Sequence, residues 1–414
     1  MIDKSSRWPF HYGWVIVLTG ALTLFACLGL ARFAFGMLLP AMREGLGLSY
    51  DQMGWTRTGN FVGYLVSVAL APLLIRHWRP RATMVFGLLL IALCMLGISI
   101  CHGLLPVVFL YALVGVGSGF ANIPVMVLVS HWFRRERRGR AAGMMVMGNG
   151  AAIIFSGILI PWLNRLLGPQ GWRTGWLVLG LITLAAGLLA AVLVRNDPAE
   201  MGLEPVGRKV PLPTALVEEQ REAGSGRILA QLGLLYHIFG ATYMVYGTFI
   251  VTTMVVEFGF AEARAGMFWS WVGFFSLFSG VGFGTLSDRV GRRGGLGVVF
   301  AIQTLAYLLA GSAAGEAALL LSVMLYGLSA FAIPTIMAAA VGDYLGLARA
   351  PAAFSLITVF FAIGQALGPG AAGLAAEAAG SFTISFLAAA ALTACGALLT
   401  LLLPPQGAKK GGRA

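Results

Sequence analysis

The sequence predicts an all-α membrane protein of twelve transmembrane helices, arranged as two pseudo-symmetric six-helix bundles. Three observations predict it. Hydrophobic residues make up 58% and charged residues 11% of the 414-residue chain, at a mean hydropathy of +0.85, whereas a soluble globule carries about 25% charged residues. The apolar residues gather into runs of bilayer length separated by short basic loops. The halves also echo each other: GVGSGFANIP at 115–124 and YGLSAFAIP at 326–334 align Pro124 with Pro334, and Arg140 then matches Arg349. Such a parallel repeat is what paired helix bundles produce.

Crossing the hydrocarbon takes about 20 apolar residues in a helix. By that measure the first six spans lie at 12–41, 52–75, 82–101, 104–130, 140–164 and 173–194, and the second six at 229–256, 264–286, 295–313, 317–342, 351–376 and 382–404. An even number puts both termini on one side. Of the 28 Lys and Arg, 22 fall on that side; Arg43, Arg165, Arg173 and Arg264 fall on the other, and Arg32 and Arg57 lie within spans. The positive-inside rule then places both termini in the cytoplasm of a multi-pass protein of the cell inner membrane. Lys4 and Arg7 precede an apolar run far longer than a signal peptide's, so the first span stays in the mature chain. Between the halves, the polar stretch holding EPVGRKVPLP and the helix-like TALVEEQREA reads as a cytoplasmic linker, 196–227, joining an N-terminal bundle, 1–195, to a C-terminal bundle, 228–414.

The first span, GWVIVLTGALTLFACLGLARFAFGMLLPAM, is interrupted by one charge, Arg32. An arginine at a helix centre costs about 2.5–3.5 kcal/mol on insertion scales, so it normally faces protein, water or a ligand. Gly29 and Gly36 fall three before and four after it, on the same face of a regular helix, where they permit a neighbour's close approach. Arg57, in DQMGWTRTGNF, lies about two turns into span two and is read either as a second cavity cation or as an outer-gate residue paired with an acid such as Asp51. No Asp or Glu lies deep in a span: Asp51, Glu257, Glu262 and Glu377 sit at outer ends and Asp343 at an inner end. A positive interior without a buried acid suits an anion, and a guanidinium fork fits a carboxylate bidentately.

The +12 formal charge lies in the loops and reports topology, so it points to no nucleic-acid partner. Cys27, Cys94, Cys101 and Cys395 have no metal-ligand or disulfide spacing and are read as packing residues. GRRGGLG at 291–297 lacks Walker spacing, and no nucleophile constellation occurs. The expectation is therefore no enzyme, no cofactor and no metal. The partners are a small anionic molecule and membrane lipid, around a chain working as a monomer.

GTLSDRVGRR, residues 284–293 between spans eight and nine, resembles the loop signature of the major facilitator superfamily, and with twelve spans and a central loop the resemblance covers nearly the whole chain. It implies a secondary transporter working by alternating access, with substrate near the midplane. It also implies that Asp288, Arg289, Arg292 and Arg293 lock the cytoplasmic face. The corresponding loop, APLLIRHWRPR, keeps Arg76 and Arg79 but has Ile75 and Trp78 where aspartate and glycine are expected, so the lock should be stronger on the C-terminal half. HYGWVIV, HWFRRERRGRAAG, GWR and RNDPAEMGLEP are similar to the monocarboxylate transporter and oxalate/formate antiporter branch; ARFAFGMLLPAM is similar to another bacterial branch of poorly assigned substrate. Spans eight and eleven lack the basic residues usual in the first of these.

The candidate substrate contacts are Arg32 and Arg57, with Asn122, Asn149, Thr242, Tyr243, Tyr246, Tyr326 and Gln365 as hydrogen-bonding groups. Phe33, Phe35, Trp269, Trp271 and Phe360 are candidates for an apolar wall, and His237 and Glu257 for proton coupling. The expected function is transport of a small organic anion, a monocarboxylate, coupled to protons or to anion exchange. The rivals are efflux of neutral or amphipathic compounds and a non-transporting receptor of the same fold.

Overall fold

The computed structural model describes residues 11–207, 225–312, 314–346 and 349–405. Among these residues, ten helices are long and apolar enough to cross a bilayer. Two run for 50 residues, Tyr50–Ser99 and Glu262–Gly311, and each is broken by one residue outside helical geometry, Arg79 (φ 64°, ψ 164°) and Gly291 (φ 82°, ψ 159°). With their halves counted separately the ten become twelve, matching the hydropathy pattern. They are α1 (Gly13–Leu46), α2 (50–78), α3 (80–99), α4 (Leu104–Trp132), α5 (Arg135–Leu167) and α6 (Gly171–Leu193). The second six are α7 (Ser225–Thr252), α8 (262–290), α9 (292–311), α10 (Glu316–Leu345), α11 (Ala350–Ala379) and α12 (Thr383–Thr400).

The two breaks share a conformation but not a chemistry. Gly291 adopts positive φ without a side-chain clash. Arg79 is driven from the helix because it precedes Pro80, whose ring excludes the α region for the residue before it. The glycine-like position is therefore Arg79 and not Trp78, so the two loops pair one residue out of the register that their sequences suggest. A side chain held in this glycine-only region costs on the order of 1–3 kcal/mol. Arg79 pairs with Glu200 at 3.4 Å while 74% exposed, a contact of little worth. Arg79→Gly is expected to raise stability by about 1 kcal/mol after allowance for glycine's entropy. Thermal unfolding in detergent checks it, and a lowered melting temperature would contradict the strain.

The chain groups into two compact units: Met1–Leu38 with Val62–Thr214, and Leu39–Phe61 with Ala215–Ala414. The first unit is centred on buried aromatics, where Phe35 stacks on Tyr111 at 4.5 Å and Tyr111 meets Trp176 edge-on at 5.7 Å. Phe35, one of the proposed wall residues, is thus a core residue. The first part of the linker is stitched onto this unit: His131 Nδ1 sits 3.1 Å from the Asn196 carbonyl, and Val206 exchanges backbone hydrogen bonds with Trp132 and Arg134. TALVEEQREA lies outside the described residues.

In the second unit α7 and α11 approach backbone to backbone. A Cβ on Gly240, Gly364 or Gly368 would stand 2.0–2.4 Å from carbonyl oxygens of the facing helix, the small-residue seam that membrane helices use to pack closely. The start of α2 packs here too, with Thr58 Oγ1 donating to the Ala366 carbonyl at 2.7 Å and Tyr50 N donating to Glu377 Oε2 at 2.8 Å.

Candidate functional site

Arg32 is held by an irregular stretch of α1. Residues Phe25–Phe33 form a π-helix, whose i→i+5 bonding widens the turn and disturbs the register on either side. The 3.6-residue stripe linking Gly29, Arg32 and Gly36 therefore does not persist. Gly29 still fulfils the close approach expected of it, because a Cβ there would lie 2.1 Å from the Ala152 Cβ of α5. Tyr111 Oη donates to the Ala31 carbonyl at 3.1 Å, supporting the ladder beside Arg32.

Arg32 is 4% exposed. Its Cζ lies 3.8 Å from the ring centroid of Tyr64 on α2, and Asn122 Nδ2 of α4 donates to Tyr64 Oη at 3.1 Å. Arg32 thus faces protein, one of the three surroundings the sequence reading allows, and belongs with Asn122 through a tyrosine that reading missed. Tyr64 leaves only a weak signal in sequence, an aromatic between the small residues Gly63 and Ser67. Asn149 is buried on α5 between Gly148, which packs on the Ala21 backbone of α1, and Ala152.

Arg57 belongs to the second unit and is fully buried. Its Nη2 lies 3.2 Å from Met244 Sδ, and its Cζ stands 5.0 Å from the Phe61 ring. Asp51, the suggested gate partner, accepts from Ser49 Oγ. Four other second-unit candidates, Tyr243, Tyr246, Tyr326 and Gln365, form one phenol cluster. Tyr246 stacks on Tyr326 at 4.1 Å and shares a 2.8 Å hydrogen bond with Ser322; Tyr326 Oη donates to the Tyr243 carbonyl at 2.7 Å, and Gln365 Nε2 donates to Tyr243 Oη. Tyr307, also absent from the sequence reading, completes the cluster at 5.7 Å from Tyr246. Thr242 Oγ1 donates to the Ile238 carbonyl of its own helix at 2.8 Å.

The other candidates divide by exposure. Phe33 and Trp269 are buried, whereas Trp271 and Phe360 lie on accessible surface. His237 Nδ1 sits 2.9 Å from the Phe360 carbonyl. Because a carbonyl only accepts, that nitrogen carries the proton and ties α7 to α11. Glu257 Oε1 accepts from Phe382 N at 2.7 Å, capping the start of α12.

Where α8 turns into α9, Arg292 forms the hub: its Nη1 reaches Asp288 at 2.5 Å and Ser287 Oγ at 2.7 Å, and its Nε reaches Asp343 of α10 at 2.6 Å. Arg293 Nη1 donates to the Leu403 carbonyl at 3.4 Å, and Arg289 is exposed. Asp343, which sequence leaves as an acid at an inner helix end, is thus part of the cluster. Arg292→Gln should cost about 1–2 kcal/mol, because a network outlasts an isolated surface pair. Arg289→Gln should leave thermal stability unchanged, and equal losses in the two variants would contradict this division. Among the described residues no group of three or more His, Cys, Asp or Glu could hold a metal.

A family model described as "Uncharacterised MFS-type transporter YbfB" matches residues 24–401. The chain belongs to the major facilitator superfamily. This facilitator is 27% identical over 417 residues to human monocarboxylate transporter 11, covering 95% of this chain and 83% of the relative. It is 23% identical over 301 residues to a probable hexose phosphate transport protein of Chlamydia pneumoniae, covering 66% of this chain and 65% of that one. Among solved structures, it matches a bacterial homologue of the human lysosomal transporter Spinster, in an inward-facing and occupied conformation, with a TM-score of 0.76 and 14% identity over 96% of this chain and 97% of that one. That likeness concerns the fold.

Proposed function

We propose that this facilitator moves a small organic anion, a monocarboxylate, across the cell inner membrane by alternating access of its two bundles. The observation that carries the reading is Arg32: a guanidinium 4% exposed, inside a π-helical segment of a membrane helix, with its Cζ over the Tyr64 ring. A cation kept at that depth, at an insertion cost of about 2.5–3.5 kcal/mol, is explained if a negative group comes to meet it. The monocarboxylate transporters among its relatives support the class of anion. Arg57, Asn149 and the phenol cluster of Tyr243, Tyr246 and Tyr326 with Gln365 would shape the path in their own units. Asp288, Arg292 and Arg293 would steady the cytoplasmic ends, and the anion itself or an exchanged anion would balance charge.

Counterflow in proteoliposomes tests the reading. Vesicles preloaded with propionate should accumulate labelled propionate, whereas labelled xylose and tetraphenylphosphonium should not respond. Counterflow of the uncharged or cationic probe without that of propionate would favour efflux of other compounds. Binding without any counterflow would favour a receptor.

A further inference from the structure

We propose that Tyr64 is a specificity-determining residue, and that its ring makes the Arg32 site select planar carboxylates over tetrahedral oxyanions of the same charge. This rests on the reading of Arg32 as the anion-binding group and deepens it. The Arg32 Cζ lies over the ring, 3.8 Å from its centroid, which limits how the two groups meet. A guanidinium standing on edge would carry a nitrogen about 1.3 Å nearer the ring, inside van der Waals contact. The stacked arrangement, with the guanidinium plane lying along the ring face, keeps every nitrogen clear of the ring. Its N–H donors all lie in that plane, so an anion must approach from the edge.

The ring is a firm platform. A Cβ on Gly63 would come within 2.0 Å of the Ala112 carbonyl oxygen, and one on Gly119 would come within 1.8 Å of Ser67 Oγ, so α2 and α4 touch on both sides of Tyr64. Ser67 Oγ donates to the Tyr64 carbonyl at 2.6 Å, and Asn122 holds the hydroxyl at 3.1 Å. The ring therefore cannot swing aside cheaply when a ligand enters.

Geometry then separates two kinds of anion. A carboxylate bound bidentately to the guanidinium edge is coplanar with it, and neither oxygen rises toward the ring. A sulfonate or phosphonate bound through two oxygens places its third oxygen and its organic substituent on opposite sides of that plane. One of them must point to the side that Tyr64 fills. Selectivity here comes from an obstruction to the wrong shape, added to an attraction that both anions share.

Propionate and ethanesulfonate test this, since they share an ethyl group and one negative charge and differ in the shape of the head. Competition against labelled propionate uptake in proteoliposomes of the full chain is the readout. The wild type should favour propionate by at least about tenfold. Tyr64→Ala should bring the two within about threefold of each other, whatever it does to absolute affinity. Tyr64→Phe, which keeps the ring and loses the Asn122 hydrogen bond, should keep the wild-type ratio. Tyr64→Leu reads the same collapse should the alanine protein not fold, since its shorter side chain keeps apolar contact in the seam but does not cover the guanidinium as the ring does. Equal wild-type affinity for the two probes, an unchanged ratio in Tyr64→Ala or Tyr64→Leu, or a collapsed ratio in Tyr64→Phe would each overturn the inference while leaving anion transport standing. Failure of the wild type to bind either anion would instead defeat the anion reading itself, and this inference with it.

Discussion

Replacing Arg32 with alanine is expected to lower propionate uptake by at least about 100-fold. Losing two charge-assisted hydrogen bonds to a carboxylate costs about 1.5–3 kcal/mol each, and even the lower bound on both amounts to about 100-fold. Arg32→Lys should retain partial uptake, since an ammonium keeps the charge without the bidentate fork. Initial uptake rates in proteoliposomes, taken on preparations shown to be folded, check this. Wild-type uptake in the alanine variant would remove Arg32 from the mechanism.

The pattern of that site explains what sequence can and cannot say. Spans are legible because hydropathy integrates over about 20 residues and tolerates an error at either end. Arg32 stands out for the same reason, as one charge in a long apolar run. Its register is not legible: the π-helix at 25–33 depends on α1 being held by Tyr111 and by α5 at Ala152, which are contacts from distant parts of the chain. Tyr64 is hidden likewise, since an aromatic in a membrane helix is ordinarily packing and only the fold places it 3.8 Å from a guanidinium. Phe35 shows the converse, a proposed wall residue that the fold uses as core. The signature loop of the second half was readable because glycine supplies the positive φ itself. Its counterpart pairs one residue out because Arg79, a residue type that does not announce a positive φ, takes that conformation ahead of Pro80. Asp343 joins Arg292 through space, and no spacing rule connects α10 with the signature loop.

A second large effect is expected at Gly54, where α2 meets α11. A Cβ there would stand 2.5 Å from the Pro369 carbonyl oxygen and 3.3 Å from the Gly370 Cα. Both are backbone atoms, so no rotamer change relieves the collision, and Gly54→Val must push the segment off α11. The contacts that follow are Thr58 on the Ala366 carbonyl, Tyr50 N on Glu377, and the Tyr50 ring against Phe382 at 4.8 Å. If transport requires this segment to close on α11 and reopen in each cycle, the valine variant should stall with the segment displaced. Uptake should fall by at least about tenfold. A single cysteine at Thr58, in a background without Cys27, Cys94, Cys101 and Cys395, should then react with a membrane-impermeant maleimide at least about tenfold faster than it does beside Gly54. Gly54→Ala, the smallest step, should show an intermediate rate, since one methyl group asks for a smaller displacement. Equal labelling rates with and without the valine would mean that the segment accommodates the added bulk in place. The contact at Pro369 would then be packing and not a closing surface.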